Sequence, residues 1–241
     1  QLQKQQQEIE SMMNAIFKGV FVHRYRDVVP EIRAMCMEEL GTWIRTHQAS
    51  FLTDGYLKYL GWTLHDKQGQ VRLQCVKALQ ALYCQQDAAA QLELFTSRFK
   101  ARMVAMVLDK EPEVALEVVK LLTMMLETMQ EALTEEDCCQ VYPLVYVSSR
   151  SLATAAGHFV YSRSSSGVPG AAQEQFRSSS GGPGMLLVVS IIRAVVPVQL
   201  HEHAAYLVDS LWECAGPRLR DWDTYGTLLL EQEPSQGRTA L

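Results

Sequence analysis

Glycine and proline are scarce over the first 161 residues of this 241-residue chain, and no segment alternates apolar and polar residues with a two-residue period. The first absence favours uninterrupted helices, and the second removes the pattern of a half-buried strand. No apolar run reaches the roughly 20 residues that a membrane helix needs. The most apolar stretch, 185–200, is broken by Arg193 and Pro197. None of the six cysteines (Cys36, Cys75, Cys84, Cys138, Cys139 and Cys214) forms a C-x-x-C pair. Buried, reduced thiols of an intracellular protein are therefore expected, and the adjacent Cys138-Cys139 offers poor geometry for zinc. The net charge of −5 gives no global preference for nucleic acid, so any such surface must be a local patch. The first residues, Gln1-Leu2-Gln3-Lys4-Gln5, carry no apolar signal core and read as the inside of a longer helix.

Catalytic signatures are absent too. The sequence has no phosphate-binding G-x-x-x-x-G-K-[ST] loop, no G-x-G-x-x-G turn, no H-E-x-x-H helix and no G-x-S-x-G elbow. His201-Glu202-His203 has no third ligand nearby, and Glu135-Glu136-Asp137 after Thr134 reads as the acidic first turn of a helix. An enzyme, a cofactor and a metal site are not expected.

What the sequence does contain is helical spacing of apolar residues. The sets Ile32, Cys36, Leu40, Trp43 and Ile44, then Val71, Cys75, Leu79 and Leu82, then Val114, Val118, Leu121, Leu122 and Met125, each fall on one helical face. These sets repeat. Asp27, Asp66 and Asp109 are each followed by apolar residues at +5, +9 and +13, with spacings of 39 and 43 between the aspartates. Such an aspartate can end one helix and accept backbone N–H bonds from the next. Two of the units add an arginine at Arg33 and Arg72. A helix pair recurring at about 40 to 47 residues is the signature of HEAT or armadillo repeats, against a non-repeating bundle as the plainer alternative. Helices are expected near 8–22, 28–48, 53–65, 70–84, 90–108, 112–130 and 135–161. The fold expected is all-α, a right-handed helical solenoid exposing a long binding surface.

The character changes near residue 162. Serine, glycine and proline dominate 162–184, and Arg-Ser-Ser-Ser-Gly occurs twice, at 163–167 and 177–181. A stretch of this composition buries too little apolar area to offset its ordering entropy, so a flexible linker is expected. A C-terminal helical segment over 185–231 follows, with helix near 201–214, and then a tail over 232–241.

Two surface features stand out. Lys18 precedes Phe21-Val22-His23-Arg24-Tyr25-Arg26, a basic and aromatic cluster. It suits phosphates or an acidic peptide, or it is simply a helix C-terminus whose cations complement the macrodipole. Lys18, Arg24, Arg26 and Arg33 are the candidate DNA contacts. The second feature runs from Asp54 through Lys58 and Tyr59 to Trp62, with Phe95, Arg98 and Phe99 downstream. Aromatics at helical spacing are usually core, yet aromatic and arginine clusters are also frequent binding hot spots. Residues 21–106 hold 11 Lys/Arg against 8 Asp/Glu and 107–161 hold 3 against 9, a mild asymmetry that permits a basic patch on the first half.

The run from Phe21 to Asp27, then Tyr56-Leu-Lys-Tyr-Leu-Gly-Trp62, His65-Asp-Lys-Gln68 and Leu92-Glu-Leu-Phe-Thr-Ser-Arg-Phe-Lys100, closely resembles the stromalin domain of the stromal-antigen subunits of cohesin. The likeness covers about 21–106 and continues through 133–137, 141–146 and 200–212. Pro30, Tyr142-Pro143 and Cys214-Ala-Gly216 look closer to the germline branch. The resemblance implies a solenoid divided into an N-terminal helix (1–20), the stromalin domain (21–106) and further HEAT-like helices (107–161). It implies a non-enzymatic subunit that docks the kleisin of the cohesin ring, supports sister-chromatid cohesion and helps engage DNA in the nucleus. It also implies a site for short aromatic motifs of regulators of the insulator zinc-finger and shugoshin type. The matching positions are Tyr25, Arg26, Asp54, Lys58, Tyr59, Trp62, Phe95, Arg98 and Phe99. An aromatic side chain would enter a pocket edged by Trp62 and Phe99, with Arg26, Lys58 and Arg98 holding acidic neighbours. Family members are several times longer, so a solenoid of this length is expected to expose an uncapped apolar end. A basic-patch DNA binder and a generic helical adaptor are the competing readings.

Overall fold

The computed structural model describes residues 2–85, 88–129, 132–166 and 204–220, and all regular structure among them is helical. The chain divides into two compact units, 1–140 and 141–241.

The first unit opens with α1 (Leu2–Ile16), which runs into a π-turn (Phe17–Phe21) and ends as α2 (Val22–Arg24). The expected helix over 8–22 is thus longer at both ends. The wide turn stacks the Phe17 and Phe21 rings 4.7 Å apart, and Tyr25 continues the stack at 5.7 Å from Phe21. Then come α3 (Pro30–Thr46), the short α4 (Gln48–Phe51), α5 (Asp54–Thr63) and α6 (Gly69–Tyr83). These are followed by α7 (Ala89–Ala105) with a 3-10 extension, α8 (Pro112–Thr128) and α9 (Glu135–Cys139). Pro30 and Pro112 stand at the first positions of α3 and α8, where a missing N–H costs nothing and the fixed φ suits the helix.

The helices form two layers. The long helices α3, α6 and α8 pack side by side in sequence, while α5 packs on α6 and α7, and α7 on α8. This is the expected repeat of helix pairs. Val71, Cys75, Leu79 and Leu82 of α6, and Val114, Val118, Leu121, Leu122 and Met125 of α8, are all buried as their spacing predicts. The first stripe is different. Leu40 and Ile44 are buried, but Ile32, Cys36 and Trp43 are only half-buried, and Ala34, Met37 and Gly41 complete the core face instead. Gly41 is required there, because a Cβ would stand 2.5 Å from the Cβ of Ala78 on α6.

The single helix expected over 135–161 is interrupted. Pro143, lacking an N–H, sits in a 3-10 segment (Tyr142–Tyr146) between α9 and α10 (Arg150–Ser166). Thr134 and Asp137 close a capping box at the head of α9, which confirms its acidic first turn.

In the second unit, α10 packs against α11 (Ala204–Leu219), with Gly157 so close to Ser210 that a Cβ would stand 2.3 Å from its carbonyl oxygen, and Ala156, Phe159 and Val160 of α10 and Leu207, Leu211 and Ala215 of α11 are buried. Helix α10 carries on to Ser166, past the boundary expected at 162. The remainder of the expected linker, most of the 185–231 segment, His201-Glu202-His203 and the 232–241 tail lie outside the described residues. All six cysteines are free, but the burial expected of them holds fully only for Cys75 and Cys138. Cys84 and Cys139 are exposed, because each lies at a helix C-terminus on its outer side.

Candidate docking cleft

The site is assembled from a rigid scaffold and a cluster of rings. The scaffold is a ladder of arginine and aspartate. Arg33 on α3 donates to both carboxylate oxygens of Asp66, at 2.7 and 2.8 Å, and to the carbonyls of Asp27 and Val28, at 2.8 and 3.2 Å. Arg72 on α6 repeats this on Asp109, at 2.8 and 2.6 Å, and on the carbonyls of Asp66 and Lys67, at 2.7 and 3.1 Å. Asp27, Asp66 and Asp109 each also accept the backbone N–H two residues on, from Val29, Gln68 and Glu111. Burial is the largest single influence and would push the Asp66 and Asp109 carboxyls up, but the arginine hydrogen bonds, the backbone N–H groups of Gln68 and Glu111 and the arginine charges together outweigh it and hold both below the usual carboxylate range. The loop at Asp66 is therefore tied to both α3 and α6, and the loop at Asp109 to α6.

The rings come from the π-turn, the residue that ends α2, and α5. Tyr56 and Tyr59 meet the Phe17–Phe21–Tyr25 stack edge-on, with Tyr59 at 5.3 Å from Phe21 and 4.9 Å from Tyr25. Trp62, one helical turn along α5, lies edge-on to Tyr59 at 5.5 Å. Cations cover several faces: Arg26 over Tyr25 at 4.9 Å, and Lys58 over both Tyr59 and Trp62 at 5.2 and 5.6 Å.

Ladder and rings meet at a cleft of about 410 Å³, lined by Tyr25, Arg26, Asp27, Arg33, Trp62, Thr63, His65 and Asp66. Trp62 forms one wall and is 41% exposed, unusual for a tryptophan with aromatic neighbours. Partial burial, and then the charge of Arg102, hold the His65 imidazole below its ordinary value, so it is neutral at pH 7. Asp27 and Asp66 are each engaged by an arginine. The groups that face the cleft are suited to stacking and hydrogen bonding.

Comparison with known proteins agrees with this architecture. The stromalin conservative domain matches residues 26–100, and the HEAT-repeat domain of cohesin subunit SCC3/SA matches 206–240. Putative STAG3-like protein 1 of Homo sapiens is 45% identical over 210 residues, covering 87% of this chain and 86% of that protein. The chain belongs to the stromal-antigen (SA/Scc3) family of cohesin subunits. Cohesin subunit SA-3 of Homo sapiens is 53% identical over 240 residues, covering 98% of this chain, which spans about a fifth of that relative's length. The solved structure of Scc3 from Z. rouxii shares the fold with a TM-score of 0.66 at 21% identity, covering 92% of this chain and 27% of that one.

The stromal-antigen positions singled out from sequence divide into three groups. Tyr25, Arg26 and Trp62 line the cleft, and Lys58 and Tyr59 adjoin it through Trp62. Phe95 and Phe99 are buried, their rings 4.8 Å apart, and Arg98 is exposed over Phe99 at 5.6 Å. Phe99 therefore does not edge the pocket as expected. It lies beneath α5, where Gly61 leaves room for its ring: a Cβ at Gly61 would fall 2.4 Å from it. Asp54 is exposed in the first turn of α5, one turn before Lys58. Of the candidate DNA contacts, Lys18 and Arg26 are exposed, and Arg24 is exposed but paired with Asp27 at 2.7 Å. Arg33 is committed to Asp66 and two carbonyls, so it belongs to the scaffold rather than to a phosphate surface. Sequence reading missed Thr63, His65 and Asp66 as cleft residues, although His65-Asp66 stands directly after the Trp62 run.

Proposed function

We propose that this stromal-antigen chain is a non-enzymatic docking subunit of cohesin, whose cleft takes an aromatic side chain from a short regulator motif. The regulator is of the insulator zinc-finger or shugoshin type, and a kleisin segment completes the surface. In this role the chain acts in the nucleus on chromosomes and supports sister-chromatid cohesion, with the germline-like residues pointing to meiosis.

One observation carries the reading: Trp62 keeps 41% of its surface exposed beside a cleft that it shares with Tyr25 and Arg26. An aromatic ring entering that space would cover the indole and stack on a rigid wall, which is how a few residues come to dominate an interface. Arg26 and Lys58 are already poised by their neighbouring rings to meet acidic groups flanking the aromatic residue. Phe95 and Phe99 contribute from beneath, by fixing α5. The DNA-binding alternative is less favoured, because Arg33 and Arg24 are engaged by Asp66 and Asp27.

The test is binding of a fluorescent acidic peptide containing Phe or Tyr, with a kleisin segment added, to the wild-type chain and to Trp62→Ala. At least a tenfold loss, about 1.4 kcal/mol, with an unchanged helical CD spectrum is expected. Equal binding by both proteins, or binding by neither, refutes the cleft as the docking site.

A further inference from the structure

The cleft holds two polar side chains that the fold leaves unused. Its carboxylates are spent: the oxygens of Asp27 accept from Arg24 and the Val29 N–H, and those of Asp66 accept from Arg33 and the Gln68 N–H. Arg33 in turn is taken up by Asp66 and two carbonyls. Thr63 donates its hydroxyl to the Tyr59 carbonyl at 2.7 Å. That leaves Arg26 and His65, which line the same cleft and make no side-chain hydrogen bond or ion pair among the described residues.

His65 is held in place by its neighbours rather than by contacts of its own ring. Its N–H donates to the Trp62 carbonyl at 3.2 Å. Arg102 donates twice to the Leu64 carbonyl just before it, at 3.1 and 2.9 Å, and Asp66 just after it is clamped by Arg33. The repeat itself demands no imidazole there. The residue before the ladder aspartate is Arg26 in the first repeat, His65 in the second and Leu108 in the third. The ring is neutral at pH 7, so one nitrogen carries a hydrogen and the other is an acceptor. Arg26 can only donate.

The aromatic side chain that satisfies both groups is a phenol. Its ring can lie against Trp62 and Tyr25, its hydroxyl can donate to an imidazole nitrogen, and its oxygen can accept from a guanidinium. A phenyl ring offers neither bond, and an indole N–H can only donate.

Resting on the docking role proposed above, we infer that the cleft selects tyrosine over phenylalanine, with His65 accepting from the phenol hydroxyl and one N–H of Arg26 donating to its oxygen. The other N–H groups of Arg26 remain for an acidic neighbour in the motif. A site that hydrogen-bonds a hydroxyl disfavours the analogue lacking it, because its own polar groups lose water and gain no partner. His65 is exposed, so water still reaches its ring, and the discrimination is about five- to tenfold rather than the far larger ratio of a sealed site.

The probes are two fluorescent acidic peptides that differ only in Tyr or Phe at the aromatic position. Both are titrated by anisotropy, with the kleisin segment added, against the full chain and its His65→Ala, His65→Gln and Trp62→Ala variants. The tyrosine peptide should bind the wild-type chain about fivefold more tightly or better. His65→Ala should remove most of that preference without weakening the phenylalanine peptide. His65→Gln, which keeps an acceptor and a donor, should retain part of it, and Trp62→Ala should weaken both peptides. His65 is exposed, so its substitution should keep the helical CD signal. Equal binding of the two peptides by the wild-type chain overturns the selectivity and leaves the docking role standing. A preference that survives His65→Ala intact, or a loss shared equally by both peptides, overturns the part given to His65. Binding of neither peptide overturns the docking role, and the selectivity with it.

Discussion

Arg72 and Asp109 lie 37 residues apart in sequence and meet through two parallel hydrogen bonds of 2.8 and 2.6 Å, with side chains only 5% and 6% exposed. The pair joins α6 to the loop before α8, and Arg33 with Asp66 joins α3 to the loop before α6 in the same way. Removing one partner of a buried pair leaves the other charge desolvated, at a cost of about 3–5 kcal/mol. Urea unfolding of Asp109→Asn should register a loss of that order. Arg33→Ala should cost less, since its pair with Asp66 is 15% and 12% exposed, and Arg24→Ala on the exposed rung should change little. Equal effects at all three positions would contradict a buried ladder.

The same rungs set an acid limit. Asp66 and Asp109 are held below their ordinary values in the folded chain, so the unfolded chain takes up their protons first as pH falls. Their contribution is complete above the unfolded value, about 4, and is lost as pH drops through the lower folded values. Stability measured by denaturation between pH 5 and 2 should therefore fall, and Asp109→Asn should flatten the curve. An unchanged slope in that variant would mean that other carboxylates govern acid unfolding.

Gly61 and Phe99 give a third expectation. With the Phe99 ring 2.4 Å from where a Cβ would stand, Gly61→Ala forces α5 and α7 apart, and overpacking of this sort costs about 1–3 kcal/mol. Because Trp62 is the next residue, the displacement should also weaken peptide binding at the cleft. Adding Phe99→Leu, which shortens the obstructing side chain, should restore part of the lost stability. If the double variant is no better than Gly61→Ala alone, the ring contact is not the cause.

The helical layers were legible in the sequence because each long helix repeats one apolar stripe after an aspartate, and the stripes of α6 and α8 are buried as expected. The role of the arginines was only partly legible. In sequence Arg33 reads as a candidate phosphate contact, since sequence alone does not show that its guanidinium meets a carboxylate 33 residues away. The stripe of α3 misled in the opposite direction: its spacing reads as core, but Ile32, Cys36 and Trp43 line a groove. The family pattern puts Phe99 at the pocket edge, yet it lies beneath α5, because whether a ring points out or under depends on the neighbouring Gly61, a packing fact with no periodic signature. Trp62 sits on the same kind of helical spacing and is exposed. Periodicity finds the helix face; the layer packed against it decides whether that face is covered.

Salt dependence separates a desolvated aromatic site from a phosphate-binding surface. A protein held on DNA by several lysines and arginines loses about 10³–10⁵ in affinity between 50 and 200 mM salt, since each neutralised phosphate releases counterions. The cleft and its rim present few free cations: Arg33 is engaged by Asp66, and Arg26 and Lys58 rest over aromatic rings. Binding of the aromatic peptide should therefore weaken by less than about tenfold over that range, because contact with Trp62 is not screened. Arg26→Gln should reduce both the affinity, a few-fold, and the residual salt slope, whereas Trp62→Ala should reduce the affinity and leave the slope unchanged. Loss of a hundredfold or more with salt in the wild-type chain would instead make electrostatic attraction the dominant force, and would move the function back toward nucleic acid.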